Sequence, residues 1–157
     1  MPEKLHQFTR LGLLLLVLAT LPVVLSAQRF KKQDPPTTRI LFVFDASQSM
    51  LGNWESDKKI NIARKYLINI VDSLEHFENV QMALRVYGHQ SPVPPQDCSD
   101  TKLEVPFSAN NASRIRQKLR YLIPQGTTPI AHSLEMSEGD FPSCESDKCR
   151  NIVILIT

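Results

Sequence analysis

The architecture is most legible in the stretch Thr38-Arg39-Ile40-Leu41-Phe42-Val43-Phe44-Asp45-Ala46-Ser47-Gln48-Ser49-Met50. Thr38 to Phe44 is an apolar run of strand length that stops at a carboxylate, the pattern of a buried strand. A polar loop follows, Ala46 to Glu55. Beyond it the period changes. Ile60, Ala63, Leu67, Ile70, Leu74 and Phe77 fall on one face of a helix predicted over Asp57 to Phe77, with Ser56 as its N-cap.

Further along, Val80 to Tyr87 alternates as a second strand and Gly88 stops it. Gln90 to Thr101 is a Pro-rich loop holding Cys98, and Lys102 to Phe107 is a short third strand. Ala112, Ile115, Leu119 and Leu122 mark a second amphipathic helix, capped by Asn110 or Asn111. Pro124 to Pro129 is a turn and Ile130 to Met136 a short helix. Ser137 to Lys148 is a loop, and Arg150 to Thr157, mostly β-branched, is a buried strand. Strands alternating with helical segments predict an α/β fold: a Rossmann-like open, mostly parallel sheet with helices on both faces. The second and third strands form either a parallel pair or an antiparallel edge hairpin. Open sheets of this class bind ligands at the carboxyl ends of their strands, which directs attention to the loops after Phe44, Tyr87 and Thr157.

The N-terminal segment reads differently. Lys4 and Arg10 precede an uncharged apolar run, Leu11 to Leu25, and Ser26-Ala27 offers small residues for cleavage. Residues 1–27 are therefore predicted to be a signal peptide, with an uncleaved anchor as the alternative. The run is short for a membrane span, which needs roughly 20 apolar residues, so no stable span is expected after cleavage. Residues 28–37 are a linker and 38–157 the domain. This organisation implies an exported protein: periplasmic, at the cell surface or secreted.

Composition narrows the function. Of 157 residues 42% are hydrophobic and 22% charged, as in an ordinary globular chain. The net charge of +2, from 18 basic and 16 acidic residues, gives no electrostatic footprint for nucleic acid. With 5 glycines, no Gly-rich phosphate loop dominates. Three cysteines are too few for a disulfide scaffold, and an odd number leaves one thiol over.

The chemistry sits in Asp45-Ala46-Ser47-Gln48-Ser49. One carboxylate and two hydroxyls on a tight loop make an all-oxygen donor set, which suits a hard divalent cation, Mg²⁺ or Mn²⁺. Neutral hydroxyl ligands leave such an ion electron-poor, so it seeks an anionic oxygen from outside. A second element, Gly126-Thr127-Thr128-Pro129, brings a threonine hydroxyl toward the same rim.

The stretch FVFDASQSM resembles the first motif of the von Willebrand factor type A domain with its metal-ion-dependent adhesion site. GTTPIAHSL resembles the second motif, and NIVILIT the strand that precedes the third. The resemblance covers about residues 38–157. It implies Asp45, Ser47, Ser49 and Thr128 as metal ligands, with Thr127 the nearby alternative. It also implies a protein partner captured through an acidic side chain. In the family the third motif continues with Asp-Gly after this strand, so the sequence is expected to be a piece of a longer protein.

Other residues carry lesser expectations. Trp54 beside the metal loop is a possible partner contact or a lid. His89 is a possible rim contact or an exposed loop histidine, and His132 faces solvent or packs. Cys144 with Cys149, or one of them with Cys98, is expected to form a disulfide; zinc held by these cysteines is the weaker alternative. Asn111-Ala112-Ser113 fits a glycosylation sequon. Arg114, Arg116, Lys118 and Arg120 make the second helix basic.

Two enzymatic or enzyme-associated readings compete with a binding module. A Mg²⁺-dependent phosphatase-like hydrolase also places an Asp at the end of the first strand, but Ser47 stands where its acid/base carboxylate belongs. A cytoplasmic chelatase or ATPase-associated subunit conflicts with the export signal. No catalytic residue is assigned.

Overall fold

The computed structural model describes residues 35–157. The expected signal peptide and linker residues 28–34 lie outside them.

Strand β1 (Thr37–Asp45) leads into a 3-10 turn (Gln48–Leu51) and a two-residue hairpin, β2 (Asn53–Trp54) and β3 (Asp57–Lys58). Helix α1 (Lys59–Leu74), β4 (Val80–Tyr87), β5 (Thr101–Ser108), α2 (Ala112–Tyr121), α3 (Ile130–Glu138) and β6 (Cys149–Ile156) follow. The main sheet has the order β5-β4-β1-β6. β4 and β6 run parallel to β1, and β5 is antiparallel to β4 at the edge, so the hairpin alternative holds for the third strand.

The pleat sorts β1 into two faces. Ile40, Phe42 and Phe44 join Leu84 and Val86 of β4 under α1 (Ile60, Leu67, Val71) and α2 (Ala112, Ile115, Leu119). Leu41 and Val43 face the other way with Ala83 and Tyr87, where Ile130 of α3 and Phe141 cover them. The α/β class with helices on both faces is thus the observed one.

Several local expectations are corrected. The first helix starts at Lys59, not beside Ser56, because Asp57–Lys58 pairs with Asn53–Trp54. Asp57 Oδ1 then accepts from Asn61 Nδ2 at 2.8 Å. Val71 takes the buried place expected for Ile70, which is exposed, and Phe77 lies beyond the helix end. At 100° per residue, Ile60, Leu67 and Val71 share a stripe that Ile70 misses.

The sequon is also corrected. Asn111 is 2% exposed. Its Nδ2 donates to the Met82 carbonyl at 2.8 Å, and its Oδ1 accepts from Ser108 Oγ at 2.8 Å. It stitches β4 and β5 to the start of α2 rather than offering its amide for glycosylation. Arg116 pairs with Asp72 of α1 and with Glu75 just past its end, and Lys118 pairs with Glu104 of β5, so two of the four basic residues of α2 serve as inter-element ties.

Candidate functional site

Three loops meet at the carboxyl ends of β1 and β4, and they meet backbone to backbone. Ala46 N–H donates to the Tyr87 carbonyl and Gln48 N–H to the Gly126 carbonyl, both at 2.9 Å. Gly126 N–H donates to the Gly88 carbonyl at 2.9 Å. Gly88 has φ +70°, and a Cβ there would stand 2.4 Å from the Thr127 carbonyl oxygen and 2.7 Å from Ser47 Cα. Gly126 leaves equally little room, since its Cβ would lie 2.6 Å from Asp100 Oδ2. Two of the five glycines are therefore spent on drawing these loops together.

Asp45 is 1% exposed, at the last position of β1. Its Oδ1 accepts the Ser47 N–H at 2.8 Å, and its Oδ2 accepts the Thr157 hydroxyl at 2.9 Å. Ser47 Oγ and Ser49 Oγ lie 2.9 Å apart. In an octahedral Mg²⁺ shell, with ligands at about 2.1 Å, neighbouring oxygens stand about 3 Å apart, so the two hydroxyls already have that spacing. One carboxylate with neutral hydroxyls fits a hard cation. Among the described residues no group of three or more His, Cys, Asp or Glu side chains gathers.

The second loop distinguishes the two threonines. Thr127 Oγ1 donates to the Asp97 carbonyl and is committed there. Thr128 is exposed and lines a hollow of about 410 Å³ together with Gln48 and Ser49. Ser49 also borders a larger hollow of about 560 Å³, shared with Asp45, Trp54, Tyr66 and Thr157. The structure therefore places Asp45, Ser47 and Ser49 in one oxygen cluster, with Thr128 across the smaller hollow from Ser49.

Trp54 is 59% exposed on the rim of the larger hollow, so it is not a packed lid. His89 is corrected. Its side chain is 8% exposed and its Nε2 lies 2.8 Å from Glu104 Oε1. The antiparallel β5 brings Glu104 alongside the start of the 88–100 loop and turns the imidazole inward, which removes it as a partner contact. His132 faces solvent near Glu135. Cys144 and Cys149 form a disulfide, which removes them as zinc ligands, and Cys98 is a free, exposed thiol on the smaller hollow.

Residues that belong to no sequence motif complete the rim. Asp100, buried, accepts the amides of Gln90 and Ser91 and folds the 88–100 loop onto itself. The Ser99 hydroxyl and amide, with the Ser91 hydroxyl, hold the Asp97 carboxyl below its ordinary range. Tyr87, directly opposite Asp45 in the β1–β4 register, has a fully buried hydroxyl. Its position at a strand end beside the Asp45 strand end was the available signal.

Comparison with known proteins places this geometry in a fold. No protein-family model matches the chain. The chain is 28% identical over 145 residues to the uncharacterized protein YwmD of Bacillus subtilis, covering 90% of this chain and 63% of that protein. It thus spans less than two thirds of that relative's length. The SpRpn10 VWA domain superposes with a TM-score of 0.57 at 9% identity, over 76% of this chain and 58% of that one. The pilus adhesin SpaC from Lactobacillus rhamnosus GG superposes with a TM-score of 0.61 at 23% identity, over 81% of this chain and 16% of that one. The fold is von Willebrand factor type A-like.

Proposed function

We propose that this chain is a non-enzymatic protein-binding module that holds Mg²⁺ or Mn²⁺ and captures an acidic side chain of a partner protein. The observation that carries the reading is the Ser47–Ser49 hydroxyl pair, 2.9 Å apart, beside the buried carboxylate of Asp45. Asp45, Ser47, Ser49 and Thr128 would hold the ion. When bound, it would supply Lewis acidity toward a carboxylate oxygen. Only one of these four ligands is an anion, so the loaded site keeps positive charge and favours an incoming acid.

The adhesive role rests on likeness: a pilus adhesin carries this fold on a longer chain. Export is supported by the leader pattern in residues 1–27 and by the Cys144–Cys149 disulfide, which persists in oxidising compartments.

Titration of the full chain with Mn²⁺, followed by the loss of the free-ion paramagnetic resonance signal, tests the cation. The unaltered chain should bind one ion, and Asp45→Asn should weaken binding by about tenfold or more, as expected for loss of the one charged ligand. An unaltered chain that leaves the signal intact, or an Asp45→Asn variant that binds equally, refutes the site. Acetate as a probe tests capture. It should lower the water-proton relaxivity of the Mn²⁺-loaded chain by displacing water, and an unchanged relaxivity removes the capture step while leaving the cation.

A further inference from the structure

Asp45 does not stand alone at its level of the sheet. In the β1–β4 register it lies opposite Tyr87, and the next pair along β1–β6, Phe44 with Ile156, puts Thr157 at its other side. Three oxygen-bearing side chains thus form a row across three parallel strand ends. Thr157 uses its hydroxyl on Asp45 Oδ2. Tyr87 does not use its own. The ring is 0% exposed, packed among Leu41, Val43 and Ala83, and its hydroxyl is buried with no hydrogen-bond partner among the described residues. It stands at the same level as Asp45 and Thr157 and meets hydrogen-bond geometry with neither.

A buried hydroxyl without a partner is unfavourable, and a core that needed only the ring would be served by phenylalanine. We propose that Tyr87 is a positioning residue for the cation site: its hydroxyl donates to the Asp45 carboxylate once that carboxylate turns toward a bound cation, and so fixes its orientation. This rests on the cation reading above.

Tyr87→Phe removes the hydroxyl and keeps the ring. Two measurements on the full chain separate positioning from packing. In chelator, the variant should unfold at the same temperature as the unaltered chain or a higher one, because no bond is lost. With Mn²⁺, its dissociation constant should rise about tenfold, the usual effect of removing a group that orients a ligand. A third readout uses Mg²⁺, which has no absorption of its own. Addition of Mg²⁺ to the unaltered chain should perturb the near-ultraviolet absorption of a buried tyrosine, and Tyr87→Phe should lose that change. The other two tyrosines, Tyr66 and Tyr121, are exposed, and Tyr66→Phe should keep it. Equal Mn²⁺ affinity in Tyr87→Phe overturns the positioning role and leaves the cation site standing. A variant that loses stability in chelator overturns it too, since the hydroxyl then serves the fold. An unaltered chain that binds no Mn²⁺ overturns both readings.

Discussion

Gly88 shows how much of the site is decided by a single missing atom. The sequence marks it as the stop of a strand. In the fold it adopts φ +70° and lies under the Thr127 carbonyl and the Ser47 backbone. An alanine there carries backbone strain of about 1–3 kcal/mol from the positive φ, before any rearrangement to relieve the 2.4 Å approach. Gly88→Ala should therefore lower the urea unfolding free energy by at least that much. It should weaken Mn²⁺ binding as well, because relieving the clash separates the loops bearing Ser47 and Thr128. A variant with unchanged urea midpoint shows that the loops have slack. Asn111 teaches the same lesson at another residue. Its sequon is visible in the sequence, but the two strands that absorb its amide are not.

Among elements, the decisive tie is between β4 and the turn that follows α3. Arg85, in the middle of a parallel strand, looks like an intrusion in VQMALRVY. Its Nε and Nη2 donate to Asp140 at 2.6 and 2.7 Å, and both side chains are nearly buried. Its Nη1 donates to Thr101 Oγ1 at 3.2 Å, so β5 is drawn into the same node. Removing one partner strands the other charge in the core. Asp140→Ala should thus cost about 3–5 kcal/mol in chemical denaturation. Arg85→Met combined with Asp140→Leu should cost clearly less than Asp140→Ala alone, since no charge is left unpaired. If the single and double variants are equally destabilised, the pair contributes packing rather than charge.

For the molecule as a whole, acid stability should depend on Glu104. This carboxylate joins β5 to α2 through Lys118, at 2.6 Å, and to the site loop through His89. Burial raises its pKa, but Lys118, His89 and Lys102 outweigh that, and the net result lies below its ordinary value of 4.5. A group depressed in the folded state contributes stability that is full above its unfolded pKa. That contribution fades as pH falls from about 5 through the folded value. Urea midpoints measured from pH 6 to pH 3 should fall for the unaltered chain. They should fall less steeply for Glu104→Gln, which starts from a lower stability at pH 6. Parallel pH profiles for the two would show that Glu104 does not govern the acid limb.

Legible in the sequence are the main strands and helices though not their exact ends, a mostly parallel sheet with an edge alternative for β5, and Asp45, Ser47 and Ser49 on one strand-end loop. These follow from hydrophobic period and local spacing, which are properties of neighbours in the chain. Long-range packing commits Thr127 to Asp97, turns His89 inward to Glu104, buries Asn111 and leaves the Tyr87 hydroxyl unpartnered beside Asp45. The reason is physical. Period tells which face a side chain takes, but the partner that satisfies a buried polar group comes from a distant segment. That segment's position is fixed only when strands align in register.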